Sequence, residues 1–95
     1  MVQKFYVYIL TNKSNTTLYI GITNDIVRRV NEHNIKLPKK FTSRYNVTKL
    51  VYLETYTDAL DAIRREKQIK NYSRQRKFEL ITELNPNFDD LLNAD

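Results

Sequence analysis

The spacing of hydrophobic and polar residues changes several times along the chain. From Lys4 to Thr11, Phe5, Val7 and Ile9 alternate with Tyr6, Tyr8 and Leu10. From Thr17 to Ile22, Leu18, Ile20 and Ile22 alternate with Tyr19 and Gly21. Alternation at a period of two sends successive side chains to opposite faces, so both segments are expected to be strands. The polar stretch Asn12 to Thr16 between them reads as a hairpin turn, of a type left open because it has no glycine. A register that sets Tyr8 opposite Tyr19 also sets Val7 opposite Ile20 and Ile9 opposite Leu18. One face is then aliphatic, and the other presents Tyr6, Tyr8, Tyr19 and Gly21.

The period then lengthens. Thr23 or Asn24 can cap a helix over about Asp25 to Ile35, with Asp25 in its first turn and Ile26, Val27 and Val30 as its apolar stripe. Pro38 ends it, and a basic loop follows from Lys39 to Asn46, with Phe41 and Tyr45 among Lys39, Lys40 and Arg44. Thr48 to Tyr56 is expected to be a third strand and Asp58 to Asn71 a second helix. Ser73 caps a third helix that stops before Pro86. A short C-terminal helix around Phe88 to Leu92 is a further option. Strand, strand, helix, strand, helix, helix describes a small α+β domain.

Three placements go against this pattern. On the helix from Asp58, Ala59, Ala62, Ile63 and Ile69 define the apolar arc at about 100° per residue, with Asp61, Arg64, Arg65 and Gln68 opposite. Glu66 falls in the middle of that arc and Lys70 falls there too. A carboxylate on a core-facing stripe is costly unless paired or bound to a metal. It is therefore either half of an ion pair, with Arg29 or Lys70, or a metal ligand or acid–base group in a cleft. Arg29 and His33 share a face of the first helix at a spacing of four and border its apolar stripe. Each has an ordinary reading as a solvated charge or a surface histidine. Tyr6, Tyr8 and Tyr19 on one sheet face have an ordinary reading as core packing.

Composition narrows the chemistry. The chain has 95 residues, enough for one modest core, and 41% of them are hydrophobic. With no cysteine and one histidine, disulfides and ordinary zinc sites are excluded. A single glycine cannot build a phosphate-binding loop or a dinucleotide fingerprint. Apolar runs are only a few residues long, and the N-terminus reads as a strand instead of a signal peptide. The expectation is a cytoplasmic protein with no membrane association. The net charge is +5, but residues 79–95 carry −5 and hold no Lys or Arg, so residues 1–78 carry +10. Twelve of the 16 basic residues lie between Lys36 and Lys77. That concentration suits a polyanion, because Lys and Arg displace counterions from phosphates, although it also suits a solvated basic surface.

The ordered set of odd placements resembles the GIY-YIG nuclease domain. Tyr19-Ile20-Gly21 is the second half-motif, and Tyr6-Val7-Tyr8 stands where Gly-Ile-Tyr is usual. Tyr8 precedes Tyr19 by 11 residues, Arg29 follows Gly21 by eight, and His33 completes an R-x-x-x-H arrangement. Glu66 lies in a later helix, where the family has its metal-binding Glu. The segments LYIGITNDIVRRVNEH and REKQIKNYSRQRK are especially similar to the small, single-domain bacterial subfamily, and the likeness covers about residues 4–82. Two departures stand out. Tyr6 replaces the motif-initial Gly, and the late Asn of larger members has only Asn71 as a candidate.

The resemblance implies a three-stranded, mainly antiparallel sheet flanked by three or more helices, with residues 1–84 as the nuclease-like domain and 85–95 as an acidic tail. It implies a metal-dependent DNA endonuclease, acting on duplex or branched DNA in repair or recombination, with a protein partner supplying targeting. Glu66 would hold one Mg²⁺ or Mn²⁺. Arg29 would stabilise transition-state charge, Tyr8 would activate or position the attacking water, Tyr19 would orient it, and His33 would accept the proton from Tyr8. Gly21 would let the backbone approach the site; its ordinary reading is a bulge or strand end. Lys39, Lys40, Arg44, Lys70, Arg74 and Arg76 would grip the DNA backbone. Two other functions compete: a nucleic-acid-binding module without cleavage, and a protein-interaction domain in which the Tyr, Arg and Glu residues form a structural network.

Overall fold

The computed structural model describes residues 3–34 and 47–92, the side chains of His33 and Asn34 excepted. Three strands and three helices follow one another: β1 Phe5–Thr11, β2 Leu18–Thr23, α1 Ile26–Asn34, β3 Lys49–Tyr56, α2 Ala59–Lys70 and α3 Arg74–Leu84. The sheet has the order β2-β1-β3, with both pairings antiparallel, which is the expected α+β architecture.

β1 is the central strand, and its alternation serves two cores. Val7 and Ile9 pack with Ile20 of β2, Ala62 and Ile69 of α2, and Leu80 and Ile81 of α3. Tyr8 and Leu10 pack on the other face with Val30 of α1, Val47 and Leu50. α1 therefore covers one face of the sheet, and α2 and α3 cover the other. Every residue of β1 from Val7 to Thr11 is buried because both faces are covered.

The hairpin register differs from the expected one by two residues. Tyr8 pairs with Gly21, Ile9 with Ile20 and Thr11 with Leu18. A two-residue slip preserves the faces, so the aliphatic and tyrosine sides are as read from the sequence, but the cross-strand partners change. The cause lies in the turn. Asn12 Oδ1 accepts the backbone N–H groups of Thr16 at 2.8 Å and Thr17 at 3.1 Å. Asn15 takes a left-handed conformation (φ 57°), and its N–H donates to the Asn12 carbonyl at 3.0 Å. With the Asn12 side chain replacing a ladder partner, Asn12 to Thr17 stay out of the sheet.

On the other side of β1 the register with β3 shifts between Ile9 and Leu10. Val51 is the extra residue of this bulge, and Val51 and Tyr52 both join the core beneath α2 and α3. Tyr52, Glu54 and Tyr56 consequently lie opposite Ile9, Val7 and Phe5, on the face toward α2.

Helix starts are set by short polar side chains. Asp58 Oδ1 accepts the N–H of Leu60, and Ser73 Oγ accepts the N–H of Arg76, as expected of N-caps. α1 is capped by Asp25, not by Thr23 or Asn24. Asp25 Oδ1 accepts the N–H of Arg28 at 3.1 Å, while Thr23 Oγ1 accepts the N–H of Asp25 and fixes the chain just before the helix.

The inward stripe of α2 is Ala62, Arg65, Glu66 and Ile69. Ile63 is 37% exposed and Leu60 60% exposed, whereas the side chains of Arg65 and Glu66 are 22% and 14% exposed. Arg65 thus leaves the solvent side to which the helical pattern assigned it, because a carboxylate on β3 draws it inward. After α3 the chain makes turns, and no helix forms over Phe88 to Leu92. Buried Asn85 donates to the carbonyls of Val51 and Asp89 and accepts from the N–H of Asp89. Phe88 packs on Phe78 with φ 53°, which a continuing helix does not allow. Among the described residues no helix is long and apolar enough to cross a membrane.

Candidate functional site

The register places Tyr8 beside Gly21, and that pairing explains the glycine. A Cβ added at Gly21 would stand 2.5 Å from Cζ and 2.9 Å from Cε2 of Tyr8, far inside contact distance. The φ of Gly21 is not positive. What this position requires is therefore the absence of a side chain, so that the Tyr8 ring can cross β2. The Tyr19 ring lies 6.3 Å from that of Tyr8, centroid to centroid. Across the ring crossing, Arg29 of α1 donates from Nε to the Tyr8 hydroxyl at 3.2 Å and also hydrogen-bonds Tyr19.

The electrostatics of Tyr8 are set mainly by burial, which raises its pKa above the usual tyrosine value. The hydrogen bond from Arg29 works in the opposite direction without overcoming it, and the Tyr19 hydroxyl and the Glu66 carboxylate push it up further. Both tyrosines hold Arg29 firmly in its charged form. The Arg29 side chain is 38% exposed, and its Nη1 also meets Glu32 Oε1 at 3.5 Å.

The one close ionic partner of Glu66 among the described residues is Lys70, with Nζ 3.4 Å from Oε2. Lys70 is 53% exposed, so this pair lies at the rim and another cation can displace it at little cost. No three His, Asp or Glu side chains converge anywhere among the described residues. A single recessed carboxylate does not fit a fully protein-caged ion. It does fit Mg²⁺ or Mn²⁺, which keep most of their shell as water and substrate oxygens.

Comparison with known proteins places the chain in a family. The family model of the GIY-YIG catalytic domain matches residues 4–79. The chain belongs to the GIY-YIG family. It is 40% identical over 80 residues to a UPF0213 protein of Staphylococcus haemolyticus, covering 84% of this chain and 96% of that protein. It is also 40% identical over 78 residues to a UPF0213 protein of Haloquadratum walsbyi, covering 82% and 86%. The solution NMR structure of the UPF0213 protein BH0048 from Bacillus halodurans superposes with a TM-score of 0.59 at 29% identity, over 92% of each chain.

Within this GIY-YIG domain a second polar cluster escaped the sequence reading. Arg65 Nε and Nη2 contact both oxygens of Glu54 at 3.0–3.1 Å. Tyr52 and Tyr56 each donate a hydroxyl to Glu54, the latter at 2.6 Å. Arg65 Nη1 reaches Gln68 at 2.6 Å and Tyr72 at 3.1 Å. Burial tends to raise the Glu54 pKa, but Arg65 and the two tyrosines outweigh it and hold the carboxyl below its ordinary value. Burial and then the Glu54 carboxylate push both Tyr52 and Tyr56 up to about 12. The available signal was the Tyr-x-Glu-x-Tyr alternation, which puts all three side chains on one strand face.

The other expected site residues are dispersed. Arg74 donates to the Thr16 carbonyl and lies 5.0 Å over the Phe78 ring. Arg76 is drawn to its own helix, 3.1 Å from Glu83 and 3.8 Å from Glu79. Asn71 is the C-cap of α2. The backbone of His33 lies in α1, four residues after Arg29. Its side chain, the loop cations Lys39, Lys40 and Arg44, and Phe41 and Tyr45 lie outside the described residues.

Proposed function

We propose that this domain is a metal-dependent DNA endonuclease that hydrolyses phosphodiester bonds. The observation that carries the reading is the meeting of Tyr8, Tyr19 and Arg29 over Gly21, with Glu66 standing recessed on the inward stripe of α2. The charge of +10 over residues 1–78 supports a phosphate-bearing substrate.

Water attacks phosphorus, the bond to the 3′ oxygen breaks, and negative charge gathers on the non-bridging and leaving oxygens. Glu66 would hold the divalent ion, which supplies Lewis-acid stabilisation of the leaving oxygen. Arg29 has a planar fork of donors and a side chain that is 38% exposed, so it can meet a phosphate while keeping Nε on Tyr8. Its fixed charge offsets the charge that develops at phosphorus. Tyr8 keeps its proton at neutral pH because burial lifts its pKa. It therefore orients the attacking water through its hydroxyl, with Tyr19 beside it. His33, one turn beyond Arg29, is assigned to take up the proton, since imidazole titrates near neutrality. Lys39, Lys40, Arg44, Lys70, Arg74 and Arg76 would meet neighbouring phosphates.

One observation favours a second reading. The ion pair of Lys70 with Glu66 satisfies the carboxylate without a metal, as a binding module without cleavage requires. The two readings separate in a plasmid-nicking and branched-DNA cleavage assay with Mg²⁺ or Mn²⁺, using folded wild type, Glu66→Ala and Arg29→Ala. A nuclease nicks DNA as wild type and fails as either variant. Equal cleavage by all three proteins would reject the assignment, and salt-sensitive binding without cleavage would select the binding module.

A further inference from the structure

At the turn end of β2 a groove of about 200 Å³ opens between the hairpin and α3, lined by Thr16, Thr17, Leu18, Arg74 and Lys77. Its polar lining pairs two cations with two threonines. The guanidinium of Arg74 is fixed, donating to the Thr16 carbonyl and lying over the Phe78 ring. Its remaining N–H groups are available to an anion. Lys77 has no carboxylate within ion-pair distance among the described residues, whereas Arg64, Arg65, Lys70 and Arg76 each have one. The first turn of α3 contains no acidic residue, although Arg74, Arg76 and Lys77 there oppose the helix dipole. Arg76 is offset by Glu83 and Glu79, but among the described residues Arg74 and Lys77 have no carboxylate in ion-pair range, and cations left so at that end cost stability unless an anion comes to them.

The groove also lies near the candidate site. β2 runs from Leu18, in the groove wall, to Gly21, under the Tyr8 ring. Three residues of strand span about 10 Å. Lys70, which touches Glu66, lies only four residues before Arg74 in sequence. A DNA strand with its reacting phosphate at Arg29 and Glu66 can therefore reach the groove with a phosphate further along.

We infer that the Arg74–Lys77 groove is a DNA-phosphate subsite that holds the substrate strand beside the cleavage centre. The inference rests on the nuclease reading for its substrate class and adds Lys77 and a location to it. Lys77 is the new residue, and the hydroxyls of Thr16 and Thr17 add neutral donors.

The test is the salt dependence of binding to a fluorescently labelled DNA duplex in EDTA. Each neutralised phosphate contact contributes about 0.9 to the slope of log K against log salt. Arg74→Ala/Lys77→Ala is expected to lower the slope by about two and to weaken binding roughly 10- to 100-fold at 0.1 M salt. With metal present, KM rises and kcat at saturating DNA is retained. Arg64→Ala, which removes one charge elsewhere as Lys77→Gln does in the groove, leaves the slope as it was. If the double variant does not fold, Lys77→Gln alone is expected to lower the slope by about one. An unchanged slope in a folded Lys77→Gln or double variant overturns the subsite while leaving the nuclease reading standing. A lowered slope in the variant, together with a wild type that never cleaves DNA, supports the groove and rejects the nuclease. Absence of any wild-type DNA binding overturns both.

Discussion

Two clusters in this domain are built from the same side chains. One joins Glu54, Arg65, Tyr52 and Tyr56 across β3 and α2; the other brings Arg29, Tyr8 and Tyr19 together with Glu66 nearby. In the first, both carboxylate oxygens meet Arg65, two tyrosines donate to them, and Gln68 and Tyr72 take up the remaining guanidinium nitrogen. In the second, Arg29 donates from Nε to Tyr8 and reaches Glu32 only at 3.5 Å, with its side chain 38% exposed, and among the described residues Glu66 has only a rim lysine as ionic partner. Arg65 and Glu66 are sequence neighbours with opposite assignments. A satisfied network has no capacity left for a ligand, and its contribution is rigidity. A recessed carboxylate with one weak partner keeps its affinity for a cation. Degree of satisfaction, not residue type, separates the structural cluster from the candidate site.

The largest expected effects would break this contrast if they fell on the wrong cluster. Glu66→Gln is expected to reduce metal-dependent cleavage roughly 10³-fold or more, and Arg29→Ala roughly 10²- to 10³-fold. Thermal melting should move little in Glu66→Gln. Glu54→Gln and Arg65→Ala should do the reverse. Each strands a partly buried charge or its partners, at a cost of about 2–3 kcal/mol, below the range for fully buried pairs because solvent reaches this one. In a domain of this size that is a fall of about 10–20 °C in Tm. Calorimetry beside the cleavage assay checks both; a strong loss of stability in Glu66→Gln with unaltered Glu54→Gln would reverse the assignment.

Gly21→Ala is expected to perturb both stability and function. The added methyl meets the Tyr8 ring, so either the ring leaves Arg29 or the strands part, at about 1–3 kcal/mol. In a Tyr8→Ala background, which is itself destabilised by loss of a buried ring, adding Gly21→Ala should cost little more, a non-additivity that a backbone requirement for glycine would not produce.

Smaller effects sharpen the comparison. The Glu54 pKa is depressed in the folded state, so its contribution to stability is present above its ordinary value of 4.5 and is lost as pH falls through the folded value. Tyr52 and Tyr56 are raised from 10.0 to about 12, so their contribution is full below the usual tyrosine pKa and is lost as pH climbs from there through about 12. Urea titrations should show wild-type stability falling at both extremes, with the acid limb flattened in Glu54→Gln. A similar acid limb in that variant would remove Glu54 from the account. Last, Lys70→Met should tighten the apparent Mg²⁺ requirement two- to fivefold, the worth of a rim ion pair. An unchanged metal titration would mean that Lys70 does not compete for Glu66.

Much of the site was legible because its residues violate local patterns. Glu66 stood out on an apolar helical stripe, and it does face inward. Tyr8, Tyr19 and Gly21 shared a face by parity, which a two-residue register error could not destroy. The Glu54 cluster was not legible as a network, because Arg65 looked like a solvent-side charge. Its inward turn depends on β3 lying under α2 and on a bulge at Val51, and neither has a period in the sequence. The pairing of Tyr8 with Gly21 was equally hidden, since it depends on how Asn12 folds over the turn.

By itself the sequence determined the order of strands and helices, the division of β1 into two faces, the cap of α3, and the ordered Tyr, Gly, Arg and Glu residues. These follow from periods of two and about 3.6 and from side chains acting on their own neighbours in the chain. Only the tertiary structure decided the hairpin register, the use of Gly21 as space for a ring, the saturation of Glu54 and the spare capacity of Glu66. Those depend on distances between residues far apart in the chain, which packing sets and local pattern does not encode.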